Sequence, residues 1–258
     1  TNNDIIVKDE KYVELKTTAS DENGNKELLP LNQVSIIDKV QMSGLIPGEE
    51  YVLEGKLIDK ISGKPLTQEG KALVVSKAFI AEDLNQNLDI KFEVNASDLS
   101  GKELVVFEKL TRNNILVGVH EDINDLGQTI KIVKPKIKTN ASDGYNNKLI
   151  DAKEDALIVD KVEYSGLVKG KEYILQGKLI DKETGNILMI NDKEINSEIK
   201  FVADESDGFI ELEFKVDTRD LEGKKLVAFE NLYYQDSILA AHEDINDQDQ
   251  TIEVEDIV

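Results

Sequence analysis

The chain repeats itself. Shifted by 122 residues, His120-Glu121-Asp122-Ile123-Asn124-Asp125 falls on His242-Glu243-Asp244-Ile245-Asn246-Asp247, and Gly55–Lys60 falls on Gly177–Lys182. Between Gly101–Ile130 and Gly223–Ile252, 16 of 30 positions are identical, and no gap is needed to keep the offset. A period this long places two whole domains in series rather than a solenoid of short units. A length of 258 residues suits two domains of about 130 each. The seam is expected at Lys134-Pro135-Lys136, where proline interrupts a strand pattern, giving copies 1–133 and 134–258.

Each copy reads as β. Apolar and polar residues alternate over Tyr12–Thr18, Ile36–Met42, Tyr51–Asp59, Ala72–Ile80, Leu88–Val94, Leu104–Leu110, Leu116–His120 and Thr129–Val133. Turn signals such as Asn23-Gly24, Pro47-Gly48, Ser62-Gly63 and Ser100-Gly101 separate them. Seven or eight short strands in about 120 residues predict an antiparallel β-sandwich. Hydrophobic residues make up 40 %, enough for a packed core. Aromatic content is 5 % with no Trp, so aliphatic side chains must fill that core.

Charge and cysteine narrow the function classes. Asp and Glu total 52 against 31 Lys and Arg, a net charge of −21. A nucleic-acid backbone or an anionic membrane is therefore a poor partner, since both need a basic footprint. No apolar run is long enough for a transmembrane helix, and no signal peptide is evident. The start at Thr1-Asn2-Asn3 reads like an excised fragment. Cysteine is absent, so no disulfide, thiolate metal site or cysteine nucleophile exists. In an exported protein that removes the usual covalent staple and leaves room for another.

Alternation also turns polar groups inward. Thr17 shares a face with Val13, Leu15 and Ala19, and Thr139 with Ile137 and Ala141. Asp38 shares one with Ile36, Val40 and Met42, and Asp160 with Ile158, Val162 and Tyr164. Glu108 lies with Leu104, Val106 and Leu110, and Glu230 with Leu226, Ala228 and Leu232. Gln128 shares a face with Ile130 and Ile132, and Gln250 with Ile252 and Val254. His120 and His242 are the only histidines, at the same offset. A bulge or strand end that turns the carboxylates outward is the plainer alternative, and threonine is an ordinary strand former.

Taken together, the set suggests chemistry. A Thr hydroxyl becomes a nucleophile when a base such as His takes its proton. A Gln amide becomes an electrophile when its carbonyl is polarised. Two buried carboxyls share a proton, and that proton can stabilise an oxyanion. The product would be a Thr–Gln ester, with loss of ammonia, kept from hydrolysis by dry surroundings.

At this point the residues resemble a known family. The copies are similar to the VaFE-repeat, ester-bond-forming, immunoglobulin-like domains of Gram-positive surface adhesins. Leu226-Val227-Ala228-Phe229-Glu230 matches the naming motif, and Val105-Val106-Phe107-Glu108 departs from it by Val for Ala. A closing signature H-x-D-x-x-D-x-x-Q-T is met by His120, Asp122, Asp125, Gln128 and Thr129, and by His242, Asp244, Asp247, Gln250 and Thr251. An opening T-x-A-x-D is met by Thr17, Ala19 and Asp21, and by Thr139, Ala141 and Asp143.

The resemblance implies two tandem Ig-like (CnaB-like) sandwiches, each with an autocatalytic ester, Thr17–Gln128 and Thr139–Gln250. It assigns helper roles to Asp38, Glu108 and His120, and to Asp160, Glu230 and His242. Thr18 rivals Thr17, but the second copy has Asn140 there. It further implies stalk domains of a cell-wall-anchored, extracellular Gram-positive protein that is monomeric and not a turnover enzyme. No cofactor or metal is expected. The expected partners are neighbouring stalk domains, with a host ligand held by domains outside this sequence.

The residues also allow three rival readings. Asp122, Asn124 and Asp125 could hold Ca²⁺ in a plain binding module, although the spacing is not an EF-hand. Lys16 or Lys138 could staple the sandwich as a Lys–Asn isopeptide, but alternation turns both outward. A hydrolase would need an open pocket and a Gly-rich nucleophile turn, and neither is evident.

Overall fold

The computed structural model describes residues 12–255, so the Thr1-Asn2-Asn3 reading lies outside the described residues. Chain contacts divide the protein into Thr1–Val133 and Lys134–Val258. Each unit is a two-layer, immunoglobulin-like β-sandwich, and no helix occurs among the described residues.

In the first unit the main strands are β1 (Glu14–Ser20), β2 (Val34–Ser43), β3 (Glu50–Asp59), β4 (Val74–Ile80), β5 (Asn85–Val94), β6 (Glu103–Arg112), β7 (Ile115–His120) and β8 (Thr129–Ile132). One layer is the sheet β1-β2-β5. In the other, β6 is central: it pairs with β3 on one side and with both β7 and β8 on the other, and β4 extends β3.

The first strand lies at the edge of its own sheet and also bonds to the opposite layer. Val13 N–H donates to Val117 O at 2.7 Å, and Ala19 N–H to Gly127 O at 2.9 Å. These bonds occupy edge groups that would otherwise be left open. They also bring the Thr17 strand against the segment that carries Gln128.

The second unit repeats this with β9 (Lys136–Ser142), β10 (Ala156–Ser165), β11 (Glu172–Asp181), β12 (Asn196–Val202), β13 (Gly208–Val216), β14 (Lys225–Tyr234), β15 (Ser237–His242) and β16 (Thr251–Val254). Its layers are β9-β10-β13 and a sheet built on β14, which pairs with β11, β15 and β16.

The interior is largely aliphatic. Ile36, Val40, Leu53, Leu57, Ile90, Leu104, Leu110 and Ile130 are buried around Tyr51 and Phe92. The structure departs from the sequence reading in two ways. The first strand continues through Ala19 and Ser20, because the Ala19 amide finds its acceptor in the other layer. Pairing is not wholly antiparallel: Glu27–Leu28 runs parallel to β8, as Leu149–Ile150 does to β16.

One glycine positions the site. Gly55 pairs with Glu108, and a Cβ there would lie 2.9 Å from Phe92 Cζ. At the equivalent Gly177, paired with Glu230, a Cβ would lie 2.4 Å from Leu212 Cδ2. Glycine thus lets the opposite sheet close over the strand beside each glutamate.

Candidate functional site

Topology gathers five side chains per copy between the layers. Thr17 projects inward from β1 and Asp38 from β2, where Asp38 pairs with Ala19. Glu108 projects from β6 in the other layer and is the register partner of His120 on β7. Gln128 stands just before β8, held by its own carbonyl accepting from Val106 N–H at 3.2 Å. Asp38, Glu108 and Gln128 are 0 % exposed, as are Asp160, Glu230 and Gln250.

Local turns explain the spacing of the closing motif. Asp122 Oδ1 accepts from Asn124 N–H at 2.9 Å, and Asp125 Oδ1 from Gly127 N–H at 2.6 Å. These two Asx turns wind the chain compactly between His120 and Gln128. The Thr129 hydroxyl then donates to Asp125 O at 2.7 Å. In the second copy Asp244 and Asp247 form the same turns at 2.9 and 2.8 Å, and Thr251 donates at 2.6 Å.

The threonine meets its base. Thr17 Oγ1 lies 3.3 Å from His120 Nδ1, and Thr139 Oγ1 lies 3.3 Å from His242 Nδ1. The other ring nitrogen, Nε2, is 3.0 Å from Asp125 Oδ2 in the first copy and 3.1 Å from Asp247 Oδ2 in the second. A proton on Nε2 satisfies that carboxylate and leaves Nδ1 free to accept from the hydroxyl. The order Asp–His–Thr is that of a nucleophile activated by an oriented base.

The glutamine meets the acids. Gln128 Nε2 donates to Glu108 Oε2 in a short bond, and Gln250 Nε2 donates to Glu230 Oε2 at 2.7 Å. Asp38 sits beside Glu108 and Asp160 beside Glu230, close enough to couple electrostatically, while both oxygens of each aspartate are buried with no hydrogen-bond partner. Burial drives the Glu108 carboxyl far above the ordinary carboxylate range, and the Asp38 charge adds to this. Glu230 is raised in the same way, by burial and then by Asp160. Both aspartates are also raised, chiefly by burial, while the adjacent glutamate opposes the rise. Each pair therefore holds one proton between its two carboxyls.

The folded glutamate binds its proton more tightly than the unfolded one, whose reference value is 4.5. Folded chains then hold more protons than unfolded ones above pH 4.5, and stability falls as pH rises through that window. In a Thr17→Ala/Thr139→Ala chain, each pair should contribute a slope of up to about 1.4 kcal/mol per pH unit. Denaturant unfolding at pH 5 and pH 8 should show higher stability at pH 5. Adding Glu108→Gln and Glu230→Gln should flatten the slope. Aspartates held low, such as Asp59 at about 2 beside Lys102, lose their contribution only below their reference value of 3.8, outside this window.

The rival residues are placed elsewhere or engaged otherwise. Thr18 and Asn140 face outward, as do Lys16 and Lys138. Asp122 and Asp125 use their oxygens on turns and on His120. Among the described residues no group of three or more His, Cys, Asp or Glu side chains is placed to hold a metal ion.

Two features went unassigned in the sequence. Asp125 and Asp247 were visible as motif positions, but only the fold shows them orienting the histidines. Lys26 and Lys148 had a signal, since Asn-Lys recurs at the 122-residue offset after Asp21 and Asp143.

The sequence profile of the T-Q ester bond containing domain matches residues 13–132 and again residues 135–254. The chain belongs to the T-Q ester bond domain family. Its two T-Q domains are tandem copies that together span nearly the whole sequence. Among solved structures it is similar to a bacterial adhesin from Mobiluncus mulieris containing intramolecular disulfide, isopeptide and ester bond cross-links. The identity is 13 %, the TM-score 0.44, and the match covers 87 % of this chain and 82 % of that one. It is also similar to the C-terminal domain of the Streptococcus agalactiae AgI/II polypeptide BspA, at 12 % identity and TM-score 0.48, covering 94 % and 99 %. No curated protein matches the chain.

Proposed function

We propose that each T-Q domain closes its own Thr–Gln side-chain ester, Thr17 to Gln128 and Thr139 to Gln250, without another enzyme. The observation that carries this reading is that both copies place an Asp–His–Thr relay and a Gln amide, bonded to a buried glutamate, between the same two layers.

Thr17 Oγ1 gives its proton to His120 Nδ1 and bonds to Gln128 Cδ. The Cδ–Nε2 bond then breaks, and the nitrogen takes the proton from His120 and leaves as ammonia. The Gln128 carbonyl oxygen is buried without a partner, and so is Glu108 Oε1. A half-turn of the amide would put the carbonyl on the protonated Glu108, which then donates to the developing oxyanion. Burial of both carboxyls and both amides keeps water from the ester once formed. Each site reacts once and is consumed, so the protein is not a turnover enzyme.

The cross-link would join the first strand to the segment before the last, so that tension entering one end of a domain bypasses the strands between. The reading that follows is a stalk segment of a cell-wall-anchored adhesin on a Gram-positive surface. Its immediate partners would be neighbouring stalk domains, and a host ligand would be bound by domains outside this sequence. The deciding experiment is intact mass under denaturing conditions. Each conversion of amide to ester removes ammonia, about 17 Da, so two bonds should place the chain about 34 Da below its sequence mass. An undiminished mass would overturn the proposal.

A further inference from the structure

The lysines at the offset-related positions 26 and 148 make contacts that the ester chemistry does not call on. Lys26 Nζ donates in short bonds to Ala19 O and Gly127 O. Lys148 Nζ donates at 2.5 Å to both Ala141 O and Asp249 O, and at 2.9 Å to Asn140 Oδ1. Ala19 lies two residues beyond Thr17 on the same strand, and Gly127 immediately precedes Gln128. The ammonium thus grips the backbone beside the nucleophile and beside the electrophile at once.

The opening motif builds this grip. Asp21 Oδ1 accepts from Asn23 N–H and Asn25 N–H, both at 2.8 Å, and Oδ2 accepts from Asn25 Nδ2 at 2.9 Å. Asp143 does the same with Tyr145 and Asn147, at 2.8, 3.0 and 2.7 Å. Each turn returns the chain so that the following lysine points back at the strand it came from. Both lysines are half-buried. Burial lowers the affinity of Lys26 for its proton, and the carboxylates of Asp125 and Asp38 oppose that loss. For Lys148 the opposing charges are Asp249, Asp160 and Asp247.

We infer that Lys26 and Lys148 are positioning residues for cross-linking: each clamps the Thr-bearing strand to the Gln-bearing turn before any covalent bond exists. The inference rests on the ester reading above. A charged donor to two carbonyls is stronger than a neutral one, and a small misplacement of reacting groups slows an intramolecular step steeply.

The test is Lys26→Met in the full chain, which keeps the aliphatic stem and removes the donor. Mass is followed over time at pH 7, and peptide mapping assigns each 17 Da loss to its copy. The expected result is a loss slowed about 10–100-fold in the first copy only, with Lys26→Arg restoring most of the rate. The melting temperature of Thr17→Ala/Lys26→Met, set against Thr17→Ala, measures the purely structural cost. Loss in the first copy as fast as in the second would overturn the inference while leaving the ester reading intact. So would a slow loss that Arg does not restore, accompanied by collapse of the melting temperature. If neither copy loses mass, the ester reading itself has failed and the inference falls with it. Lys148→Met, with the first copy as internal control, repeats the test should the first variant not fold.

Discussion

A Thr17→Ala chain should lose one cross-link and keep the other. The two sites share no residue: Thr17, Asp38, Glu108, His120 and Gln128 all lie in the first unit, and their counterparts all lie in the second. The mass deficit should therefore fall from about 34 to about 17 Da, with the remaining loss mapping to Thr139 and Gln250. The larger effect is on stability. The ester closes a loop of about 110 residues, and by analogy with disulfides such a closure restricts the unfolded chain by about 4–5 kcal/mol. For a domain of this size that is a fall in melting temperature of roughly 15–20 °C. Calorimetry should resolve two transitions, the first copy melting early and the second unmoved. A single transition at the wild-type temperature, or an unchanged deficit of about 34 Da, would sink the pairing.

Glu108→Gln should leave the first sandwich folded and its cross-link almost unformed. The substitution preserves shape between the layers but removes one of the two carboxyls that share the pair's proton, the one proposed to donate to the oxyanion. The tetrahedral intermediate at Gln128 Cδ then forms without that donor, and loss of one such donor slows comparable reactions about 10²–10³-fold. The fold should survive, because Leu104, Val106 and Leu110 on the same face of β6 remain packed in the core. Time-resolved intact mass should show the second copy complete while the first lags, with far-UV circular dichroism unchanged. Rapid cross-linking in this variant would show that the acid lies elsewhere.

The two variants probe different links. Thr17→Ala removes the bond itself and so reports what the covalent closure contributes to stability. Glu108→Gln keeps both bonding partners and reports only how fast they join. Reduced stability in Glu108→Gln should recover as ester accumulates, whereas Thr17→Ala should never recover.

Much of the candidate site was legible in the sequence because a strand has a period of two. That period turned Thr17 inward with Val13 and Leu15, and Lys16 and Thr18 outward, and the solvent exposures follow the same alternation. The same rule placed Asp38, Glu108 and Gln128 among apolar neighbours, where they are indeed buried. Duplication supplied the second half of the argument, since each inward polar group recurs 122 residues later.

What lay beyond reach depends on contacts between elements distant in sequence. That Asp125 orients His120, rather than merely standing five residues after it, follows from the Asx turns that swing its second oxygen onto Nε2. That Lys26 reaches both Ala19 and Gly127 follows from the turn Asp21 builds and from β1 bonding across to the opposite layer. The parallel pairing of Glu27–Leu28 with β8 is of the same kind.

By itself, then, the sequence determined the two tandem domains, their β class and which face of each strand is apolar, because repetition and alternation are local and additive along the chain. Only the tertiary structure decided which inward groups touch. Asp38 and Glu108 come from opposite layers, and their shared proton exists because two sheets press both carboxyls into the same dry space. Burial and like charge raise a pKa only once the groups are brought together, and no spacing along one strand specifies what the facing sheet presents.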